Sequence, residues 1–420
     1  MPLSEALSDD LQWRGLIKDK TFDDVTWLDS PKTFYLGSDC SSDSLTVGNL
    51  AIFMVARRLA EAGWKTVLLV GGATSLIGDP GGKDEERNLK SREEIAANVA
   101  GIKAQVQRLF ADQEFTLVDN YDWFKDIGYL EFLRDVGKHY SMTELVQRDY
   151  IASRMGEGGG GISYAEFSYS LIQGYDFWHL FKNHGVEMQI GGSDQWGNIL
   201  SGVPLIRKKE GKEAHAFSMP LVINKTTGKK FGKSEDGAIW LDSARTSPTQ
   251  MYQFWINTDD DRVEEFLKIY TMLKRDEIEA ILAQHREKPS DRIAQTRLAE
   301  EVTEIVHGRD AAKIARVVTD VLTGKTPVDE VSGEVISALR KEQPSMKATE
   351  SSSIIDALTQ TNLASSNTEA RRLLKENGIS INGQKVAREN FEASDFQDGR
   401  ILLRRGKKFK DTALIEIGTN

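Results

Sequence analysis

The segment "KTFYLGSDCSSDSLTVGNLAIFMVARRLAEAGWKTVLLVGG", residues 32–72, decides the fold. Short apolar runs open and close it, "KTFYLG" at 32–37 and "KTVLLVGG" at 65–72, and each run ends in glycine and predicts a buried strand. Between them, "LAIFMVARRLAEAG" at 50–63 has the apolar spacing of a helix, with Gly63 at a position where helices commonly end. A strand, a helix and a strand in this order form a βαβ unit, which predicts a parallel sheet.

Patterns further along the chain extend this α/β prediction. A clear helix at 92–110 precedes a strand at 114–120, and another strand is predicted at 186–195. Near the end, "NTEARRLLKENG" predicts a helix, and "ISINGQKV" predicts a hairpin with an Asn-Gly turn. The expected organisation is an α/β domain at 1–220, a lysine-rich loop and a helical domain at 221–325, a Gly/Pro/Ser/Thr-rich linker at 326–352, and a small α+β module at 353–420.

Composition is that of an ordinary globular protein, with 40% hydrophobic and 28% charged residues. No run of about 18 apolar residues predicts a transmembrane helix, and the N-terminal residues lack the basic start and apolar core of a secretory signal. Cys40 is the only cysteine, which excludes an internal disulfide and a cysteine-based metal site. We therefore expect a cytoplasmic protein with no membrane partner.

Charge is distributed unevenly along the chain. The net charge of −10 argues against nucleic acid as a partner of the whole surface. Residues 361–420, however, hold 11 Lys/Arg and 8 Asp/Glu, whereas residues 1–360 hold 43 and 56. A basic tail on an acidic body is typical of an RNA-contacting appendage, and on charge alone a solvated lysine-rich surface explains it equally well.

Two turns that follow predicted strands have the composition of phosphate sites. "GSDCSSDSLTVGNL" at 37–50 opens a helix, so its hydroxyls, backbone N–H groups and helix dipole can meet phosphate, and Gly48 permits close approach of an adenine ring. In "GGATSLIGDPGGKDEER" at 71–87, Lys83 and Arg87 are four residues apart and share one face if the segment is helical. The alternatives are a structural turn for the first segment and surface salt bridges for the second.

Two further segments have polar groups suited to a site. Gly-flanked lysines in "GKKFGKSEDG" at 228–237 suit transient contact with a polyphosphate, although such loops are often merely solvated. In "AEFSYSLIQGYDFWHL", Tyr169, Gln173 and Asp176 fall on one helical face, where they point into a cavity or form a buried network. The six histidines show no metal-ligand spacing, and no Ser-His-Asp arrangement is indicated.

Together these segments resemble the bacterial-type tyrosyl-tRNA synthetases, a family of class I aminoacyl-tRNA synthetases. The resemblance extends from about Trp13 through the tail and rests on long, ordered motifs: "LVGGATSLIGDP", "FLRDVGKHYSM", "EFSYSLIQGYDF", "QIGGSDQWGNI", "KKFGKS", "TSPTQMYQFWINT" and "LLRRGKK". It implies a Rossmann-type parallel-sheet catalytic domain, a helical domain and a small α+β RNA-binding domain, working as a homodimer. The implied enzyme is a ligase that condenses L-tyrosine with ATP to tyrosyl-adenylate and transfers the tyrosine to tRNA(Tyr).

The resemblance also implies roles for individual residues. Tyr35 and Asp176 would bind the substrate phenol; Asp79, Tyr169 and Gln173 would hold its ammonium group; Gln195 would help place its carboxyl end. The implied ATP contacts are Gly37, Asp39, Gly48, Gly192, Asp194 (at the ribose) and Lys233. Catalytic contacts to the phosphates would come from Thr46, Asn49, Lys83, Arg87, Lys230 and Lys233. Such a reaction needs positioning and electrostatic stabilisation, so Mg²⁺ would arrive with ATP and no protein-bound metal is expected.

The tail and one internal loop supply the expected RNA contacts. "RRLLKENGISINGQKV" resembles the RNA-binding domain of the family, in which Arg371, Arg372, Lys375 and Lys385 would meet phosphates. Charge and position suggest that Arg207 and Lys208, in "LIRKKEGK", touch the acceptor end of the tRNA, and a solvated loop is the alternative there.

The chain departs from the family at one signature. The motif that usually reads Pro-Thr-Ala-Asp-Ser-Leu-His-x-Gly-His reads "CSSDSLTVGN" here, so that Cys40 replaces proline and Thr46 and Asn49 replace the two histidines. An asparagine amide can donate from nearly the position of a histidine nitrogen, whereas the threonine hydroxyl is shorter and neutral. The alternatives to an active ligase are a weakened or inactive paralogue that binds tRNA or another structured RNA, and a tryptophan-specific relative, against which Tyr35 and Asp176 argue.

Overall fold

The chain forms two compact units in the computed structural model, which describes residues 6–79, 90–156, 160–223, 231–234, 237–406 and 411–418. The first unit is Met1–Thr246 with Asp259–Ala294, and the second is Ser247–Thr258 with Gln295–Asn420. Strands and helices are numbered below in chain order.

The strands are β1 (Asp19–Lys20), β2 (Thr33–Asp39), β3 (Lys65–Gly71), β4 (Phe115–Asp119), β5 (Met188–Gly192), β6 (His215–Met219), β7 (Lys233–Ser234), β8 (Gly237–Ala238), β9 (Ser345–Ala348), β10 (Ile379–Ile381), β11 (Gln384–Lys385), β12 (Arg400–Arg405) and β13 (Thr412–Ile417). The helices are α1 (Leu7–Trp13), α2 (Val47–Glu61), α3 (Thr74–Ile77), α4 (Arg92–Leu109), α5 (Tyr121–Phe124), α6 (Tyr129–Asp135), α7 (Met142–Val146), α8 (Asp149–Met155), α9 (Tyr164–His184), α10 (Trp196–Ile199), α11 (Gly202–Glu210), α12 (Pro248–Ile256), α13 (Val263–Tyr270), α14 (Arg275–Glu287), α15 (Ile293–His307), α16 (Arg309–Thr323), α17 (Gly333–Glu342), α18 (Ile354–Gln360) and α19 (Asn367–Lys375).

A six-stranded sheet with the order β1-β6-β5-β2-β3-β4 organises the first unit. β2 pairs in parallel with β3 on one side and with β5 on the other, which confirms the predicted parallel sheet. The edge strand β1 is antiparallel to β6 and was not predicted, since its two polar residues carry no strand pattern. The first unit is therefore a Rossmann-like α/β domain with a mixed sheet.

Helix α2 connects β2 to β3 and directs its N-terminus toward the end of β2. Its apolar face is fully buried, including Leu50, Met54 and Val55, which explains why this segment folds as a packed helix. The helix begins three residues earlier than the predicted residue 50, because the side chain of Asn49 accepts the backbone N–H of Thr46 and caps the first turn.

The second unit combines helices with a five-stranded sheet of order β11-β10-β12-β13-β9. One face of that sheet packs Ile401 and Leu403 against α18 and α19, and the other packs Leu402 and Leu414 against α16 and α17. The predicted Asn-Gly hairpin joins β10 to β11, with Asn382 and Gly383 both at positive φ (47° and 85°), as a tight hairpin turn requires.

The structure corrects the expected linker at 326–352. Helix α17 lies within it, and β9 pairs in parallel with β13 of the sheet. Val335, Ile336 and Leu339 of α17 are buried in a core with α16, so the segment is part of the second unit. The flanking Gly, Pro and Ser residues concealed this short amphipathic helix at the level of sequence.

Across the described ranges, no helix has the length and apolar character needed to cross a membrane.

Candidate active site

A cavity of 390 Å³ lies at the carboxyl ends of β2 and β5. These neighbouring parallel strands flank the point where the chain connections run to opposite sides of the sheet, and that position is the usual ligand site of open α/β sheets. The cavity is lined by the following predicted residues: Tyr35, Gly37, Asp39, Thr46, Gly48, Asn49, Asp79, Tyr169, Gln173, Asp176, Gly192, Asp194 and Gln195. The structure thus brings the described members of the predicted tyrosine and ATP sites together in one place, apart from Lys233.

The helix α9 carries three of these residues. Tyr169, Gln173 and Asp176 all line the cavity, which confirms that their shared face points into it. Two contacts fix the start of the helix: Ser163 accepts the backbone N–H of Glu166, and Glu166 forms a buried ion pair with Arg154 at 2.6 Å. Phe177 and Leu180 then pack against the sheet beside Tyr35, which holds the polar face of α9 over the strand ends.

Asp176 is buried at the inner end of the cavity. Its Oδ2 accepts a hydrogen bond from Asn120 Nδ2 at 3.1 Å, and its Oδ1 accepts one from Trp123 Nε1 at 2.9 Å. Burial raises the pKa of Asp176 to about 7, although these two hydrogen bonds favour the ionised form and oppose the rise. The carboxyl group is therefore poised between its two protonation states near neutral pH.

Tyr35 presents a hydroxyl group that has no hydrogen-bond partner among the described residues, although the side chain is only 1% exposed. Burial, and secondly the negative charge of Asp176, raise the pKa of Tyr35 above its usual value, so the hydroxyl keeps its proton. A buried hydroxyl without a partner is unfavourable by about 1–3 kcal/mol. A ligand hydroxyl that pairs with Tyr35 and Asp176 would remove that penalty.

Asp79 lies at another wall of the cavity and is held by two amide side chains. Gln195 Nε2 donates to Asp79 Oδ2 at 2.6 Å, and Asn198 Nδ2 lies 3.3 Å from Asp79 Oδ1. Asn198 also donates to Gln195 Oε1 at 3.1 Å, which closes a triangle of side chains. Since Asp79 is 7% exposed and opens onto the cavity, this arrangement presents an oriented carboxylate to a cationic ligand group.

The turn after β2, for which the sequence predicts ATP contacts, forms a further part of the cavity wall. Asp39 Oδ1 accepts hydrogen bonds from the backbone N–H of Ser41 at 3.0 Å and from Ser75 Oγ at 2.7 Å. Cys40, which stands where the family usually has proline, donates its additional N–H to Ser75 Oγ at 2.8 Å. The substitution therefore leaves this backbone donor satisfied. At Gly192 a Cβ would approach Asp194 Oδ1 to 2.7 Å, so position 192, two residues before Asp194, must be small.

The first residues of the lysine loop that are described lie directly against α2. A Cβ at Gly48 would approach the carbonyl oxygen of Phe231 to 2.8 Å, and the Phe231 ring packs on Phe266 with ring centroids 4.5 Å apart. Lys233 lies in β7, and its side chain is not described. The predicted positions Lys83, Arg87 and Lys230 lie outside the described residues.

Four residues at the site were missed by sequence reasoning: Asn120, Trp123, Gln189 and Asn198. Gln189 is 2% exposed, lines the cavity beside Tyr35 in the parallel register of β2 and β5, and its Oε1 has no partner among the described residues. Two sequence features could have indicated site residues: the glutamine inside the apolar run "VEMQIGG" and the polar Asn120 at the end of a predicted strand. Trp123 and Asn198 had no such feature.

The predicted RNA-contacting residues are exposed on the surfaces of their units. Arg371, Arg372 and Lys375 lie on α19 and Lys385 lies on β11, whereas Arg207 and Lys208 lie in the last turn of α11. Within the described part of the chain, no group of three or more His, Cys, Asp or Glu side chains is arranged to hold a metal ion.

Comparison with known proteins assigns the family and the fold. The family described as "tRNA synthetases class I (W and Y)" matches residues 29–322, which include every described residue of the cavity. The chain belongs to this family. Residues 335–410 of this class I synthetase match a second family, "Tyrosine--tRNA ligase SYY-like C-terminal domain", and this match includes most of α17 and the whole of β9.

Individual relatives agree with the family match. This class I synthetase is 42% identical to the tyrosine--tRNA ligase of Staphylococcus haemolyticus, with 97% of this chain and 98% of the relative aligned. It is also 42% identical to the tyrosine--tRNA ligase of Anaeromyxobacter dehalogenans, with 96% of this chain and 97% of the relative aligned. Among solved structures, the C-terminally truncated mitochondrial tyrosyl-tRNA synthetase of Aspergillus nidulans matches with a TM-score of 0.68 and 33% identity, over 74% of this chain and 93% of that one. The resemblance found in the sequence is thereby confirmed.

Proposed function

We propose that this chain is a tyrosine–tRNA ligase, which activates L-tyrosine with ATP and transfers it to tRNA(Tyr). The observation that carries the proposal is that two buried polar groups, Tyr35 and Asp176, line one cavity whose wall also includes the turn after β2. A phenol can donate to Asp176 and accept from Tyr35, whereas a phenylalanine ring would leave both groups unpaired in a buried site. The full-length similarity to tyrosine--tRNA ligases supports the same function.

In the proposed reaction the substrate carboxylate attacks the α-phosphorus of ATP, and pyrophosphate leaves. Asp79, oriented by Gln195, holds the substrate ammonium group together with Tyr169 and Gln173, and Gln195 places the carboxylate for attack. Fixing both reactants in one cavity supplies the catalytic advantage of proximity. A terminal hydroxyl of the tRNA then attacks the carbonyl carbon of the adenylate, and AMP leaves.

The nucleotide is held at the opposite wall. Gly37, Gly48 and Gly192 let ATP approach the backbone, while Asp39 and Asp194 offer acceptors, with Asp194 at the ribose hydroxyls. Thr46, Asn49, Lys83, Arg87, Lys230 and Lys233 are proposed to serve the phosphate end of the nucleotide, with Thr46 and Asn49 at the positions of the two family histidines. Mg²⁺ carried by ATP would offset phosphate charge during the reaction.

A homodimer and the RNA contacts complete the proposal. Helices α6 to α9 share a small core around Leu145 and Phe167, and their outer surfaces expose Tyr129, Leu130, Met142, Met155 and Tyr164. Such an apolar patch is typical of a protein interface, and a second copy of this chain is the proposed occupant. Residues 353–420, with Arg371, Arg372, Lys375 and Lys385, are proposed to bind tRNA, while Arg207 and Lys208 contact its acceptor end. The proposed cytoplasmic location rests on these substrates.

A tyrosine-dependent ATP–pyrophosphate exchange assay tests the function. We expect exchange with tyrosine and much slower exchange with phenylalanine or tryptophan. Absence of exchange while tRNA still binds would contradict the ligase and indicate an inactive RNA-binding paralogue. Exchange that prefers tryptophan would contradict the amino-acid assignment alone.

A further inference from the structure

Thr46 and Asn49, which replace the two family histidines, are hydrogen-bonded to each other. The Oδ1 atom of Asn49 accepts two hydrogen bonds, one from the backbone N–H of Thr46 at 3.0 Å and one from the Thr46 hydroxyl at 2.9 Å. An amide oxygen has two lone pairs, so this pair of donors satisfies it completely. Both residues line the cavity.

The contact fixes which way the carboxamide of Asn49 is turned. The backbone N–H of Thr46 can only donate, so the atom that faces it must be the amide oxygen. The Nδ2 group, on the other side of the planar amide, is thereby directed away from Thr46. No described residue accepts a hydrogen bond from this Nδ2, which leaves two N–H donors for a nucleotide.

The same contact assigns a different role to Thr46. A hydroxyl has one proton, and that proton is used in the bond to Asn49. The remaining lone pairs of Thr46 Oγ1 can only accept, and an accepting group does not stabilise an anionic phosphate oxygen. Thr46 is therefore unsuited to donate to phosphate while this bond is made.

The backbone around Thr46 is itself anchored on both sides. Val47 N donates to the carbonyl oxygen of Ile239 at 3.0 Å, and Leu241 N donates to that of Leu45 at 2.8 Å. This short antiparallel bridge holds Thr46 in place, so the N–H and hydroxyl that orient Asn49 are preorganised.

Resting on the proposed ligase function, we propose that Thr46 is a positioning residue that orients the Asn49 carboxamide, and that Asn49 Nδ2 is the group that donates to ATP. The usual histidine pair has two ring side chains that can each reach the nucleotide. Here one side chain reaches it, and the other sets its orientation. An unrestrained asparagine amide would rotate and present its oxygen to the anion for part of the time, which would weaken binding.

A double-mutant cycle tests this division of roles. The variants are Thr46→Val, which keeps the shape and removes the hydroxyl, Thr46→Ser, which keeps the hydroxyl, Asn49→Ala, and Thr46→Val with Asn49→Ala. KM for ATP and kcat are measured in pyrophosphate exchange, ATP affinity is measured without turnover by equilibrium dialysis, and tyrosine affinity and melting temperature are followed in parallel.

We expect Asn49→Ala to lower kcat/KM for ATP by about tenfold, the effect of losing one hydrogen bond. Thr46→Val should lower it by about threefold, because the backbone N–H of Thr46 still bonds to Asn49 Oδ1. The double variant should be within about twofold of Asn49→Ala, because contacting residues that act through one another are not additive. Thr46→Ser should restore wild-type values, and tyrosine affinity should not change. These values would distinguish positioning from loss of the helix cap. Loss of the cap would lower the melting temperature and would change the affinity for both tyrosine and ATP.

Additive losses in the double variant would overturn the inference, since Thr46 would then act on ATP independently of Asn49. An unchanged Thr46→Val variant would overturn it as well. If the wild-type protein showed no exchange, the proposed function would fail, while the dialysis cycle would still decide whether Thr46 acts through Asn49 on ATP binding.

Discussion

The side-chain amide of Gln195 donates a 2.6 Å hydrogen bond to the carboxylate of Asp79, 116 positions away in the sequence. Asn198 joins both residues through its own amide and is 4% exposed. The triangle holds a carboxylate and an amide at fixed positions in the cavity wall. Its geometry therefore depends on a residue that makes no proposed contact with substrate.

Replacing Asn198 should weaken tyrosine binding specifically. Asn198→Ala removes a donor from Asp79 and from Gln195, and each such loss amounts to about 1 kcal/mol, so tyrosine affinity should fall by at least about tenfold. The KM for ATP should be the same as in the wild-type protein. The matched control is Asn183→Ala, since Asn183 is exposed and, among the described residues, its amide bonds only the carbonyl oxygen of His179. Equal losses for tyrosine and ATP would indicate a general disturbance and contradict the prediction.

Tyrosine binding should also depend on pH through Asp176. Burial raises the pKa of Asp176 to about 7, so the carboxyl group gains its proton as the pH falls below neutrality. The neutral acid is a poorer acceptor for the substrate phenol, so the dissociation constant should rise by up to about tenfold for each pH unit below 7. Titration calorimetry at several pH values measures this slope. Asp176→Asn should bind weakly with no slope in this range, and a slope that survives the substitution would assign it to another group.

The same raised pKa has a defined effect on the stability of the ligand-free protein. The folded state holds the Asp176 proton more tightly than the unfolded chain, where the ordinary value is 3.8. Protonation therefore stabilises the fold, and this contribution is complete below the unfolded value and is lost as the pH rises through about 7. Asp176→Asn should remove that part of the pH dependence of unfolding.

Gly48→Ala should impair adenylate formation without affecting tyrosine. The added Cβ would lie 2.8 Å from the carbonyl oxygen of Phe231, so the base of the lysine loop must shift. A displacement of about 1 Å can slow a reaction by about a hundredfold, and we expect exchange to fall more than tenfold at unchanged tyrosine affinity. Alanine is a better helix former than glycine by up to about 1 kcal/mol, so unfolding would not explain the loss. Gly333→Ala is the control, since its Cβ would meet open space; equal activity of both variants would contradict a close contact at Gly48.

Charge removal on α19 should weaken tRNA binding in a salt-dependent way. With Arg371 and Arg372 both changed to alanine, the slope of log affinity against log salt concentration should decrease by about 0.7–0.9 for each lost phosphate contact. Pyrophosphate exchange, which involves no tRNA, should be unchanged. Lys325→Ala provides an exposed control outside this helix. A double variant with wild-type affinity and slope would place the RNA contacts elsewhere.

Disruption of the apolar patch should separate the proposed dimer. Leu130 is 80% exposed, and the neighbouring Tyr129 and Tyr164 are each 63% exposed. A charge buried without a partner opposes association strongly, so Leu130→Glu should give monomers in sedimentation experiments where the wild type gives dimers. Ile417→Glu, at an exposed apolar residue of β13, should remain dimeric. A wild-type monomer would refute the dimer, and a dimeric Leu130→Glu variant would refute this interface.

Local patterns were sufficient for the elements that frame the cavity. The apolar runs of β2 and β3 and the amphipathic spacing of α2 and α9 are properties of short segments, so the sequence predicts them directly. Asp176 could be placed with Tyr169 and Gln173 on one face of such a helix, whereas its proposed role toward the substrate phenol came from the family resemblance. The predicted cavity face of α9 follows from periodicity alone.

The remaining features depend on contacts between distant segments. Trp123 and Asn198 belong to short helices with no distinctive pattern, and they reach Asp176 and Asp79 only once the chain is folded. The Thr46–Asn49 bond is local, but its effect depends on which amide atom faces the backbone N–H, which no residue pattern specifies. Similarly, β9 is a strand because β13 offers it an edge.

That edge strand sets a practical limit on how the protein can be divided. A fragment beginning at residue 353 would leave one edge of β13 with unpaired backbone groups and would uncover Leu402 and Leu414, which α16 and α17 normally shield. Exposed edges and apolar faces of this kind promote aggregation. A soluble fragment made to test RNA binding would therefore have to include residues upstream of α17. The segment needed for such a fragment is longer than the segment that carries the basic residues.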